Sequence, residues 1–182
     1  MAEAFSNKLT RAAGIVTTSS SGSIGITTTI ITGISTVGVA VSDLVDNSNF
    51  IAGTKVTGYG AAASQVVVDQ TSTNTAAVSG SAVVNFLGMT TAYTSAAATK
   101  SILIGGTFAN NTSSSVNLTV EIHDASAGVQ AAIASKIPVP TGSSFVISDA
   151  GKSVMEANDE IRVFCDTANA IDVNLSILTG VS

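Results

Sequence analysis

Ile171, Val173, Leu175 and Ile177 alternate with Asp172, Asn174 and Ser176. A period of two puts the apolar set on one face of a strand and the polar set on the other. Val116, Leu118, Val120 and Ile122 alternate with Asn117, Thr119 and Glu121 in the same way. Ile161, Val163 and Cys165 alternate with Arg162, Phe164 and Asp166. Such half-buried strands must cover their apolar face with a second layer. Val, Ile and Thr supply 60 of the 182 residues and Leu only 7. β-Branched side chains are stiff at χ1 and pack well on a pleated surface. The chain is therefore predicted to be all-β.

Further strands are expected at Ile102–Ile104, Ile133–Val139 and Phe145–Ile147. Turn signals fall at Asn110–Ser113, Asp124–Gly128, Pro140–Gly142, Asp149–Gly151, Asn158-Asp159 and Thr167–Asn169. Strands repeating every 8–12 residues or so with turns between them read as an antiparallel sandwich, jelly-roll-like, over residues 88–182. Residues 16–87 have a different texture, richer in Thr, Gly and Ala. Short strands are expected there at Ile24–Ile26, Val37–Val41, Lys55–Tyr59, Val66–Asp69 and Ala82–Leu87. Gly33, Gly38, Gly53, Gly58, Gly60 and Gly80 punctuate them, which suggests a small barrel of hairpins. Thr17–Ser23 reads as a linker and Ala61–Ser64 as a hairpin loop. Glu3–Ala13 has modest helical propensity and suggests a short arm. Ala125–Ala134 is Ala-rich but broken by Ser126 and Gly128, so a loop with one turn of helix is expected.

Bulk properties narrow the function. Mean hydropathy is +0.48, yet no apolar run reaches the ~20 residues of a membrane helix. No continuous apolar segment follows the N-terminal charges, so no signal peptide is expected. The single Cys165 excludes an intrachain disulfide framework, which fits synthesis in a reducing cytoplasm. The net charge of −5 argues against nucleic acid as a partner. Only 10% of residues are charged, a weak defence against association. Much of the surface is expected to be covered in an assembly.

Chemistry-bearing residues are sparse. Glu121, His123 and Asp124 form the one acid–histidine cluster, but a lone His makes a poor ligand set, and a structural or solvated role is expected. Asp43, Asp46, Asn47 and Asn49 crowd one loop with oxygens. Calcium uses six to eight oxygens or so, but the spacing is not that of an EF-hand, and Asp and Asn belong in tight loops anyway. Glu156, Asp159 and Glu160 could pair as carboxylates for glycoside cleavage. They fall in a turn expected to be exposed, with no aromatic platform beside it. Cys165 reads as a buried, inert thiol. No G-x-S-x-G occurs for the many Ser residues. Asn110, Asn117 and Asn174 match glycosylation sequons, which matter only on secretion. No catalytic, cofactor or metal residue is assigned.

The stretch from Gly151 to Leu178, with Met155-Glu156-Ala157-Asn158-Asp159 in its turn and Ser176-Ile177-Leu178 at its end, resembles small β-sandwich virion proteins of tailed marine bacteriophages, cyanophages especially. Asn158 stands where those favour Gly, and Asn also tolerates the left-handed region. Ile102–Asn110 followed by Val116–Ile122, Ile137–Ser143, and the opening residues 1–15 are similar to the same family. Residues 16–87 then look like an insertion. Val37–Val45 and Phe50–Thr57 within it are similar to β-rich modules of phage tail and fibre proteins. The resemblance implies a virion structural protein and no chemistry.

The resulting expectation is a bacteriophage capsid decoration protein that stabilises capsomer junctions. Its partners would be the major capsid protein or other virion proteins and its own copies, in a homo-oligomer for which a trimer is the symmetric choice. The rival readings are a neck, tail or fibre component and, from a different class, a carbohydrate-binding module, which the scarcity of aromatics disfavours. An enzyme is not expected.

Overall fold

A computed structural model describes residues 3–148 and 152–181. The turn expected at Asp149–Gly151 lies outside the described residues. The chain divides into two compact units. One runs up to Gly14 and resumes at Thr90; the other is Ile15–Met89. The sequence reading set these cuts after residues 15 and 87.

The first unit holds β1 (Ala4–Ala13), β8 (Thr90–Thr94), β9 (Lys100–Asn110), β10 (Val116–Asp124), β11 (Val129–Val139), β12 (Ser144–Ile147), β13 (Ser153–Met155), β14 (Glu160–Cys165) and β15 (Ile171–Val181). One sheet has the order β1-β15-β9-β12, with β13 following β12 along the same edge of β9. The other has the order β11-β10-β14-β8. Every pairing is antiparallel. Counting β12 and β13 as one interrupted strand, first pairs with last, second with seventh, third with sixth and fourth with fifth. That nesting is a jelly roll, two Greek keys folded into facing sheets. Leu103, Phe108 and Leu175 from one sheet meet Leu118, Ile161 and Val163 from the other in a single core. The three alternating segments read from the sequence supply its centre.

The second unit holds β2 (Ile15–Ile24), β3 (Ile30–Thr32), β4 (Leu44–Asp46), β5 (Val56–Tyr59), β6 (Gln65–Val68) and β7 (Val78–Gly88). Their sheet order is β4-β7-β2-β3-β6-β5. Its two ends meet: the Val45 amide donates to the Thr54 carbonyl at 2.8 Å, and the Val56 amide to the Asp43 carbonyl at 2.9 Å. Leu44 and Lys55 form the closing bridge. Closure removes the exposed strand edges that an open sheet would present. Phe86, Ile24, Ile31, Val66 and Val84 fill the barrel.

Several expectations are corrected. Glu3–Ala13 is no helical arm: Ala4–Ala13 is a full strand along β15. Thr17–Ser23 is no linker but lies within β2, paired with β7. Val37–Val41 is not a strand. Gly38 has φ +79, and the Val39 and Asp43 amides bond back to Thr36 and Ala40, so the segment makes two successive turns. The segment expected as a loop with a helical turn is instead a turn followed by strand, since β11 begins at Val129. Asn158 adopts φ +67, the left-handed conformation its place in the turn requires.

Candidate interaction surfaces

The acidic residues of the first unit are engaged in holding turns and strands. Asp159 is buried rather than exposed as the sequence suggested. Its Oδ1 accepts the Ala125 amide at 3.0 Å and its Oδ2 the Glu156 amide at 2.8 Å. It thus ties two loops together at one end of the sandwich. Glu156 pairs with Lys100 at 2.9 Å. Asp124 accepts the Ser126 and Ala127 amides and the Ser126 hydroxyl. The Ala127 and Ser126 hydrogen bonds hold its carboxyl below the usual range.

Glu121 and His123 lie on the outer face of β10, away from the core. Across β14, Thr119 stands opposite Phe164, Glu121 opposite Arg162 and His123 opposite Glu160. Arg162 Nε donates to Glu160 Oε2 at 2.7 Å. Opposite charges facing across a ladder support strand pairing. The alternation predicted a solvated outer face here, but Thr119, Glu121 and Phe164 are buried. β10 and β14 are covered on both faces at this level, so Glu121 is structural and not solvated. His123 Nδ1 is buried and makes no hydrogen bond among the described residues.

Cys165 is fully buried in the sandwich core. Burial pushes its thiol up to about 11, so it stays protonated and unreactive at neutral pH.

In the barrel, the side-chain oxygens of Asp43 and Asn47 are taken up by nearby backbone amides. Asp43 Oδ2 accepts the Ala40 amide at 2.8 Å. Asn47 Oδ1 accepts the Asn49 amide at 2.8 Å, and Asn47 Nδ2 donates to the Val83 carbonyl at 2.8 Å. Burial raises the Asp43 carboxyl, while the Ala40 amide and the charge of Lys55 work against that rise. Among the described residues, no group of three or more His, Cys, Asp or Glu is placed to hold a metal.

What stands out is apolar surface. On the outer face of the β1-containing sheet, Phe5 is 63% exposed, Leu9 73%, Val146 56% and Val154 60%. On the barrel, Val37 is 81% exposed and Val41 56%. Tyr59, also exposed, donates its hydroxyl to the Val39 carbonyl between them. The sequence reading placed Val146, Tyr59, Val37 and Val41 in expected strands and Phe5 and Leu9 in a short arm; the exposure of all of them needed the fold. No known family model, curated protein or solved structure matches the chain.

Proposed function

We propose that this chain is a structural protein of a bacteriophage virion, a capsid decoration protein that reinforces junctions between capsid subunits. The observation that carries the reading is that each unit bears its own exposed apolar surface, Phe5 with Leu9 on one and Val37 with Val41 on the other. Contiguous exposed apolar side chains mark interaction sites. A protein with a contact surface on each of two modules can hold two neighbours, which is what cement requires. The carboxylates meanwhile cap turns and pair strands. The resemblance of residues 1–15 and 88–182 to virion β-sandwich proteins supports the same reading.

Apolar burial contributes about 25 cal/mol per Å², less the cost of ordering the partners. A standard interface of roughly 1,600 Å² would then stabilise a junction by several kcal/mol. Such contacts are screened little by salt. Particles lacking the protein are expected to assemble but to rupture at lower temperature, and the protein should stay bound to particles in ~1 M NaCl. Particles equally robust without it, yet unable to adsorb to host cells, would overturn decoration and favour a neck or fibre role.

A further inference from the structure

The first sheet's outer face carries a pattern that its individual strands do not show. Across the strands β1, β15, β9 and the β12–β13 edge, one row runs Phe5–Leu178–Ile102–Val154. A second row reads Leu9–Asn174–Thr107–Val146. The first row is apolar throughout. The second is apolar at both edges and polar in the middle. Each row reads the same in chemical character from either edge, and neither contains a charge.

We propose that this face is a two-fold interface between two copies of the chain, with the axis running along the strands between β15 and β9. The proposal rests on the reading of the chain as a structural protein and names the partner of that surface. A two-fold contact uses the same patch on both copies, so the patch must be complementary to itself. An axis along the strands keeps each row in register with itself and exchanges its ends. Phe5 of one copy then meets Val154 of the other, Leu178 meets Ile102, Leu9 meets Val146, and Asn174 meets Thr107. Apolar groups meet apolar groups, and the central amide meets a hydroxyl.

Charge and area favour a second copy as the occupant. The chain carries −5, so two copies repel wherever their charged surfaces approach, and these rows are a place where they can meet without burying a charge. Arg11 and Asp172 lie towards one end of the face, and the exposed Lys152 precedes β13 at its edge, all outside the two rows. The whole face, four strands wide and about ten residues long, covers roughly 600 Å² at ordinary strand spacing, about half of it spanned by the two charge-free rows with Arg11 and Asp172 left at the rim. The whole face is near the ~800 Å² per partner of a standard interface. Sheets packed face to face sit about 10 Å apart with their strands within about 30° of alignment. The row pattern thus favours a two-fold over the three-fold arrangement expected from the sequence.

Sedimentation of the purified full chain at micromolar concentration tests this directly. A species of about twice the 18.0 kDa chain is expected. Leu9→Glu and, separately, Val154→Glu should each convert it to monomer with an unchanged circular dichroism melt, since both positions are exposed in one copy. The geometry is tested by mixing Leu9→Cys chains with Val146→Cys chains and adding a short bismaleimide. A cross-linked dimer is expected from the mixture and from neither variant alone, because two copies of Leu9 would lie at opposite edges of the interface. A wild-type chain that sediments only as a monomer, dimers that survive both Glu variants, or cross-linking of Leu9→Cys alone would overturn the proposal. Loss of the dimer with particle reinforcement intact would remove the interface and leave the decoration reading standing.

Discussion

The Gly14 amide donates to the Thr90 hydroxyl across 3.2 Å. The chain therefore leaves the jelly roll and re-enters it at one point, between its first and second strands. The Asn169 amide donates to the Gly14 carbonyl and the Ala170 amide to Ala13, so the exit is fastened to the β14–β15 loop. The barrel closes on itself, with Ile15 paired to Gly88 at its base. Each unit has its own core.

Excising Ile15–Met89 and joining Gly14 to Thr90 through a short Gly-Ser linker should leave a cooperatively folding β protein. The check is a single thermal transition by circular dichroism. A non-cooperative melt would show that the jelly roll depends on the barrel.

Gly14 is irreplaceable where it stands. Its φ is +120, and a Cβ there would lie 2.5 Å from the Thr167 carbonyl oxygen. Backbone cannot yield as a flexible side chain can. Gly14→Ala should lower unfolding free energy by about 2 kcal/mol or more, read as a lower denaturant midpoint.

Asp159→Ala should be among the most damaging single changes in the sandwich. It strips the part-buried Ala125 and Glu156 amides of their carboxylate acceptor, and a hydrogen bond to a charged group contributes about 1.5–3 kcal/mol. Asp159→Asn, which retains one acceptor oxygen, should cost less. Urea unfolding of the two variants checks the order.

Cys165 makes stability depend on alkaline pH. Its thiol is raised from 9.0 to about 11 in the folded state, so the unfolded chain ionises first as pH rises. The contribution is whole below pH ~9 and is lost progressively as pH climbs towards 11. One pKa unit corresponds to about 1.4 kcal/mol, so a loss of roughly 2–3 kcal/mol is expected. Unfolding measured from pH 8 to 11 should show this fall in the wild type and not in Cys165→Ala. At pH 8 the native thiol should resist iodoacetamide and react only after denaturation.

Local alternation identified the strands whose two faces differ. Ile171–Ile177 and Ile161–Cys165 could be placed because every second side chain is apolar, and period two has one structural meaning. The turn at Asn158 was legible because few residue types tolerate positive φ. The texture change across residues 16–87 set the insertion apart from its host. Ala4–Ala13 and Thr17–Ser23 carry no such pattern. They are strands because β15 and β7 supply the hydrogen bonds their backbones lack.

By itself the sequence determined an all-β chain with a break in texture across residues 16–87 and few charged side chains. Those properties belong to residue types and their local spacing. The tertiary structure alone decided that the inserted sheet closes, Val45 meeting Thr54, and that Glu121 and Phe164 are covered on the face where alternation predicted water. It also decided that Leu9 and Val146 end one row. Each of these depends on which distant strands become neighbours. Strand pairing is carried by backbone groups that every residue shares, so its register is written in the whole fold and in no single segment.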